Sequence, residues 1–107
     1  MEQNKRAPAG LSKESQRWWR KIQQEYQITD PGGLLILLTS LESLDRLREA
    51  QAAIKANGAC FKDRWGQIKA NPMCVVEKDS RSAFYTGLKA LNLDLEPLKA
   101  IGRPTGS

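Results

Sequence analysis

The chain has 107 residues, with seventeen Lys and Arg against twelve Asp and Glu and no histidine, for a net charge of +5 at pH 7. That length holds one domain around a single core and excludes a multidomain enzyme. The missing histidine removes the side chain most used for proton transfer near neutrality, and with it His-dependent triads and most catalytic zinc sites, while the basic excess points toward a polyanionic or acidic partner.

Residues 1 to 10 are polar and small, carry Lys5 and Arg6, and read as a flexible basic arm. Ser12 is placed to cap a first helix running to about Gln27, on which Leu11, Ser15, Trp18, Trp19, Ile22 and Tyr26 recur at helical spacing. Trp18 and Trp19 both adjoin this stripe and are expected in the core. The other face carries Lys13, Arg17, Arg20 and Lys21, so the helical period separates aromatic burial from cationic display.

Asp30 before Pro31 starts a second helix, because proline in the first turn lacks only an amide hydrogen that the turn cannot use; Gly58 is placed to end it. From Pro31 to Asn57 such a helix is roughly 40 Å long at 1.5 Å per residue. A compact domain of ~100 residues has a radius of gyration near 13 Å. Part of the stripe formed by Leu34, Leu37, Leu38, Leu41, Leu44 and Leu47 is therefore expected to meet another subunit, unless Gly32 and Gly33 kink the helix.

Residues 59 to 70 break the helical period. Cys60, Phe61, Trp65 and Ile68 suit strands and Asp63 to Gly66 suits a turn, which predicts a short β-hairpin bearing Lys62, Arg64 and Lys69. Trp65 falls at its turn, where packing and interface roles are evenly balanced. Asn71 and Pro72 open a third helix with Met73, Val76, Ala83, Phe84, Leu88 and Leu91 on its apolar face. Glu96 to Ile101 allow one or two further helical turns, and residues 102 to 107 read as a loose tail. The expected architecture is mainly α: an N-terminal helix, a long second helix, a short hairpin, a third long helix and a short C-terminal helix, in one domain over residues 11 to 101.

The longest aliphatic run, Leu34 to Leu38, falls far short of the ~20 residues that cross a bilayer. With Cys60 and Cys74 too few for a disulfide scaffold, reduced and partly buried thiols in a cytoplasmic protein are expected. Residues 1 to 29 carry six Lys and Arg against three acids, and residues 59 to 71 carry three against one, so these two segments hold the whole basic excess. Lys5, Arg6, Lys13, Arg17, Arg20, Lys21, Lys62, Arg64 and Lys69 are accordingly the candidates for contacting the phosphates of nucleic acid. Composition alone divides evenly between that role and a solvated face, and no helix-turn-helix, zinc-finger or RNA-recognition signature supports base readout.

Catalytic patterns are poor. No glycine pair continues into a phosphate-cradling loop, so nucleotide hydrolysis by this chain is not expected. Glu42, Asp45 and Glu49 share a helical face, yet pairing with Arg46 and Arg48 accounts for them better than a divalent cation does. No metal, no cofactor and no catalytic residue is predicted.

Taken together, LSKESQRWWRKI, Asp30 with the leucine-rich helix after it, the Ala50 to Gly58 end of that helix, a hairpin leading into Lys69-Ala70-Asn71-Pro72, and the closing LNLDLEPLKAIGRP resemble the small terminase subunit of tailed double-stranded DNA phages. The resemblance runs over nearly the whole chain and rests on order and spacing. It implies a non-enzymatic packaging factor that assembles as a ring-shaped homo-oligomer, binds the packaging start on double-stranded phage DNA, and delivers it to a large terminase subunit with ATPase and nuclease activities. In that picture the six leucines and Trp65 are the oligomer-interface candidates, and head-to-tail contacts close the ring. A small dimeric DNA-binding regulator, or a structural interaction module of the phage particle, are the alternatives.

Overall fold

Ser12, extended at ψ 166, caps the first helix, α1 (Lys13–Tyr26), its hydroxyl accepting the Ser15 N–H. Asp30 and Pro31 open the second, α2 (Pro31–Asn57), where the Asp30 carboxylate accepts the Gly33 N–H at 2.8 Å. Gly58 ends α2 with its N–H on the Ile54 carbonyl. After it come β1 (Cys60–Lys62), β2 (Ile68–Ala70) and α3 (Met73–Ala90). These elements come from a computed structural model that describes residues 6–93; Lys5, the predicted C-terminal helical turns and the tail lie outside them.

Helix α2 is a continuous spine with a neighbour on each side. Helix α3 returns antiparallel to it, Gly87 lying against Ser40 near one end while Asn71 touches Gly58 at the other. Helix α1 also runs antiparallel, its first turn at Asp45 and Arg48. Leu11, Trp19, Leu37, Leu41, Leu44 and Leu47 form the core, with Ala7, Ile22, Leu34, Leu38 and Phe84 packed around it.

This corrects the interface expectation. Leu37, Leu41, Leu44 and Leu47 are buried within the chain itself, and Leu34 and Leu38 are half-buried against them. Helices α1 and α3 flank α2 and cover this stripe within the chain. The molecule is still elongated: its radius of gyration is 17.3 Å, its extents 58 × 41 × 20 Å.

Three smaller expectations change as well. Of the tandem tryptophans only Trp19 is in the core, 5 % exposed, whereas Trp18 is 45 % exposed because successive helical residues point about 100° apart. Ala83 is exposed and Ser80 is buried on α3 instead. Within the predicted arm, Ala7 packs on the core and the Leu11 N–H donates to the Pro8 carbonyl, so those residues fold back onto the domain.

Gly87 is where α2 and α3 come closest. A Cβ there would overlap Ser40 Oγ and approach Ser40 Cβ to 2.9 Å, and that hydroxyl is buried without a hydrogen-bond partner among the described residues. Gly87→Ala is therefore expected to destabilise by about 1–2 kcal/mol, overpacking outweighing the ~1 kcal/mol gain in helix propensity. The urea midpoint reads it. Ser40→Ala should recover part of the loss, and an equal loss in both backgrounds would mean that the two residues do not meet.

Candidate nucleic-acid interface

The outward face of α1 is set by what its inward face must do. Ser15, Trp19 and Gln23 are buried against α2, which turns Lys13, Arg17, Arg20 and Lys21 to solvent. From Lys13 to Lys21 these cations cover about 12 Å of helix at 1.5 Å per residue. None forms an ion pair with a described residue. Lys21 lies 5.6 Å from the centre of the Trp18 ring, a cation–π contact that keeps the indole beside the basic stripe.

Two buried polar contacts anchor this face. The Asp45 carboxylate, on α2, accepts the Ser12 N–H at 3.0 Å and the Ser12 and Ser15 hydroxyls at 2.6 Å each. Burial pushes the Asp45 pKa up, but these hydrogen bonds and the nearby Arg46 charge outweigh it and hold the group below its ordinary value. At the far end, the Gln23 side chain accepts the Ile28 N–H at 2.8 Å and donates to the Ile28 carbonyl at 2.9 Å, clamping the α1–α2 connection.

Arg48 grips Glu14 through two bonds of 2.9 and 3.0 Å. The Arg48 hydrogen bonds lower the Glu14 pKa against the opposing effect of burial, with the Arg48 charge, a Trp18 hydrogen bond and the Arg17 charge adding to them. Both Glu14 carboxylate oxygens are thus held by Arg48 of α2, and no cation of the outward stripe forms an ion pair with it.

The hairpin is the second basic surface. Its strands pair Cys60 with Ala70, Phe61 with Lys69 and Lys62 with Ile68, and all six residues are exposed. The turn is built by Asp63, whose carboxylate accepts the Trp65 and Gln67 N–H groups at 2.9 Å each, and by Gly66, whose φ of 81° suits the left-handed position of such a loop. Lys69 lies 3.8 Å from Asp63, and Arg64 sits 4.8 Å over the Trp65 ring. Trp65 is 74 % exposed.

The structure does not merge the two surfaces. Helix α2 continues from Arg48 to Asn57, about 13 Å by helical rise, before the hairpin begins. Arg6 is exposed just ahead of Ala7. Sequence reasoning missed Asp45 as a structural acceptor and Gln23 as a clamp. For Gln23 the signal was available, since it falls on the buried side of α1 beside Trp19 and Tyr26.

Among the described residues, no group of three His, Cys, Asp or Glu side chains is placed to hold a metal ion. Asp45 is engaged by serines, and Glu49 pairs with Arg46 at 3.1 Å. Both cysteines are free, Cys60 exposed where partial burial was expected and Cys74 half-buried. No helix among the described residues is long and apolar enough to cross a membrane. Comparison with protein-family models, with curated proteins and with solved structures finds no match to this chain.

Proposed function

We propose that the chain is a non-catalytic subunit of a phage genome-packaging machine, acting as small terminase subunits do. It binds double-stranded DNA near the packaging start, assembles as a ring and delivers the DNA to a large terminase subunit. The observation that carries the DNA-binding part is the α1 face: Lys13, Arg17, Arg20 and Lys21 lie together in solvent with no ion pair to a described residue, while both oxygens of Glu14 are held by Arg48. A cationic stripe free of ion pairs on a helix anchored to α2 suits the phosphate backbone, where positioning contacts need no base readout.

With four leucines spent on the core, the large apolar side chains left exposed among the described residues are Trp18, Leu35, Phe61, Trp65, Ile68, Val75 and Tyr85, and contacts between copies would draw on these. An elongated subunit with exposed apolar side chains fits a head-to-tail assembly.

Titrating the purified chain with phage end-region duplex at several salt concentrations tests the proposal. Binding is expected at low salt, and the logarithm of affinity should fall steeply and linearly with that of salt, by about 0.9 per phosphate contacted. Native mass spectrometry of the same sample should show a many-subunit species. No binding at low salt would remove the DNA role, and a dimer would favour a regulator instead.

A further inference from the structure

We infer that the hairpin is a DNA-inserting ribbon, with Trp65 as a wedge that enters the minor groove and opens a base step, and Lys62, Arg64 and Lys69 on the flanking backbone. This rests on the DNA-binding reading above and adds a second, chemically different contact to it.

Neither face of the hairpin is covered by the chain: Phe61 and Lys69 share one face, Lys62 and Ile68 the other, and Ile68 is 72 % exposed. A contact surface between protein subunits gathers aromatic and aliphatic side chains at its centre and sheds lysine. Here each face mixes apolar side chains with one lysine, Phe61 with Lys69 on one and Ile68, Cys60 and Ala70 with Lys62 on the other, a composition that suits a ribbon meeting a polyanion with apolar interior surfaces.

Charge sharpens the assignment. Asp63 is the only acid in residues 59 to 71. Its carboxylate faces inward onto the Trp65 and Gln67 N–H groups and lies beside Lys69, so it does not oppose an approaching phosphate. These contacts also fix the tip, which matters because a lone two-stranded hairpin is marginal in water. At the base, Asn71 Nδ2 donates to the Gly58 carbonyl at 2.8 Å and the Asn71 N–H donates to the Ala59 carbonyl at 2.8 Å, tying the ribbon to both long helices.

Trp65 is the most exposed large apolar side chain of the described residues, and Arg64 covers one side of its ring. The minor groove, about 6 Å wide, admits a narrow tip, attracts arginine, and accepts apolar wedges that unstack a step and kink the duplex. Pyrimidine–purine steps open most easily and A-tracts resist. The ribbon should therefore prefer TA steps without reading any base edge.

The test uses the full chain and two end-labelled duplexes of equal length, one with central TA steps and one with a central A-tract. Affinity is measured by titration and bending by energy transfer between the ends. The wild-type chain is expected to bind the TA duplex more tightly and to bend it. Trp65→Ala should weaken that binding about tenfold, the scale of one lost stacking contact, and abolish both the preference and the bend while leaving the salt dependence unchanged. Trp65→Phe should retain part of each. Wild-type bending and preference in Trp65→Ala would overturn the proposal, as would a loss of oligomer mass with DNA behaviour intact, which would assign Trp65 to a contact between copies. If the wild-type chain bound neither duplex at low salt, the DNA-binding reading itself would fall; binding without bending or preference would remove the wedge alone.

Discussion

Asp45→Asn is expected to lower the stability of the chain by about 2–4 kcal/mol, read from the urea midpoint at neutral pH. Asp45 is 9 % exposed and its carboxylate accepts three hydrogen bonds from Ser12 and Ser15, so an amide of the same size turns a donor toward donors. The loss is cooperative in position. Ser12 caps α1, and Asp45 holds both the backbone and the hydroxyl of Ser12, so the helix start and the α1–α2 contact weaken together.

The pH dependence carries a sign. Asp45 has a folded-state pKa below its ordinary 3.8. Its contribution is therefore fully present above pH ~4, where the unfolded chain is ionised, and is lost as pH falls through the depressed folded value. Glu14 adds in the same direction but less, because its ion pair with Arg48 is partly exposed to water. The wild-type chain should lose stability on acidification below pH ~4, and Asp45→Asn should show a shallower decline. Equal acid sensitivity of the two proteins, or a variant within ~0.5 kcal/mol of wild type, would remove Asp45 from this role.

The triple substitution Arg17→Glu, Arg20→Glu and Lys21→Glu is expected to weaken DNA binding by at least about a hundredfold at low salt. Three phosphate contacts become repulsions, and the salt slope should fall by nearly three. The fold should survive, since the three side chains are exposed and form no ion pair with a described residue. Circular dichroism and the urea midpoint check that. Unchanged affinity in a folded variant would make the α1 face a solvated surface and leave any binding to the hairpin.

What was legible in the sequence was mostly local. Ser12, the Asp30-Pro31 step and Gly58 are cap signals whose chemistry acts within one turn, and the helices begin and end at them. The hairpin was legible for the same reason, since Asp63 and Gly66 build their turn from contacts four residues apart or fewer. The exposed cations of α1 followed from the period of its buried face. What was not legible depended on two elements meeting. A leucine stripe does not say how many helices share it, so Leu37, Leu41, Leu44 and Leu47 looked like interface residues when they are core. Gly87 and Ser40 acquire meaning only through the close approach of α2 and α3, and Asp45 only once Ser12 and Ser15 are beside it.

The antiparallel stacking of α1 and α3 on one spine also governs how quickly the chain reaches its shape. Each packed pair joins elements that are near one another in sequence: α1 with α2, β1 with β2, and α2 with α3 across only the hairpin. Chains of such local contacts fold in about microseconds to milliseconds, because little loop-closure entropy precedes the first favourable contacts. Both cysteines are free, so no oxidation step delays the process. Each copy is thus expected to be complete before it encounters another, which makes the rate of building any larger assembly a matter of subunit concentration and encounter.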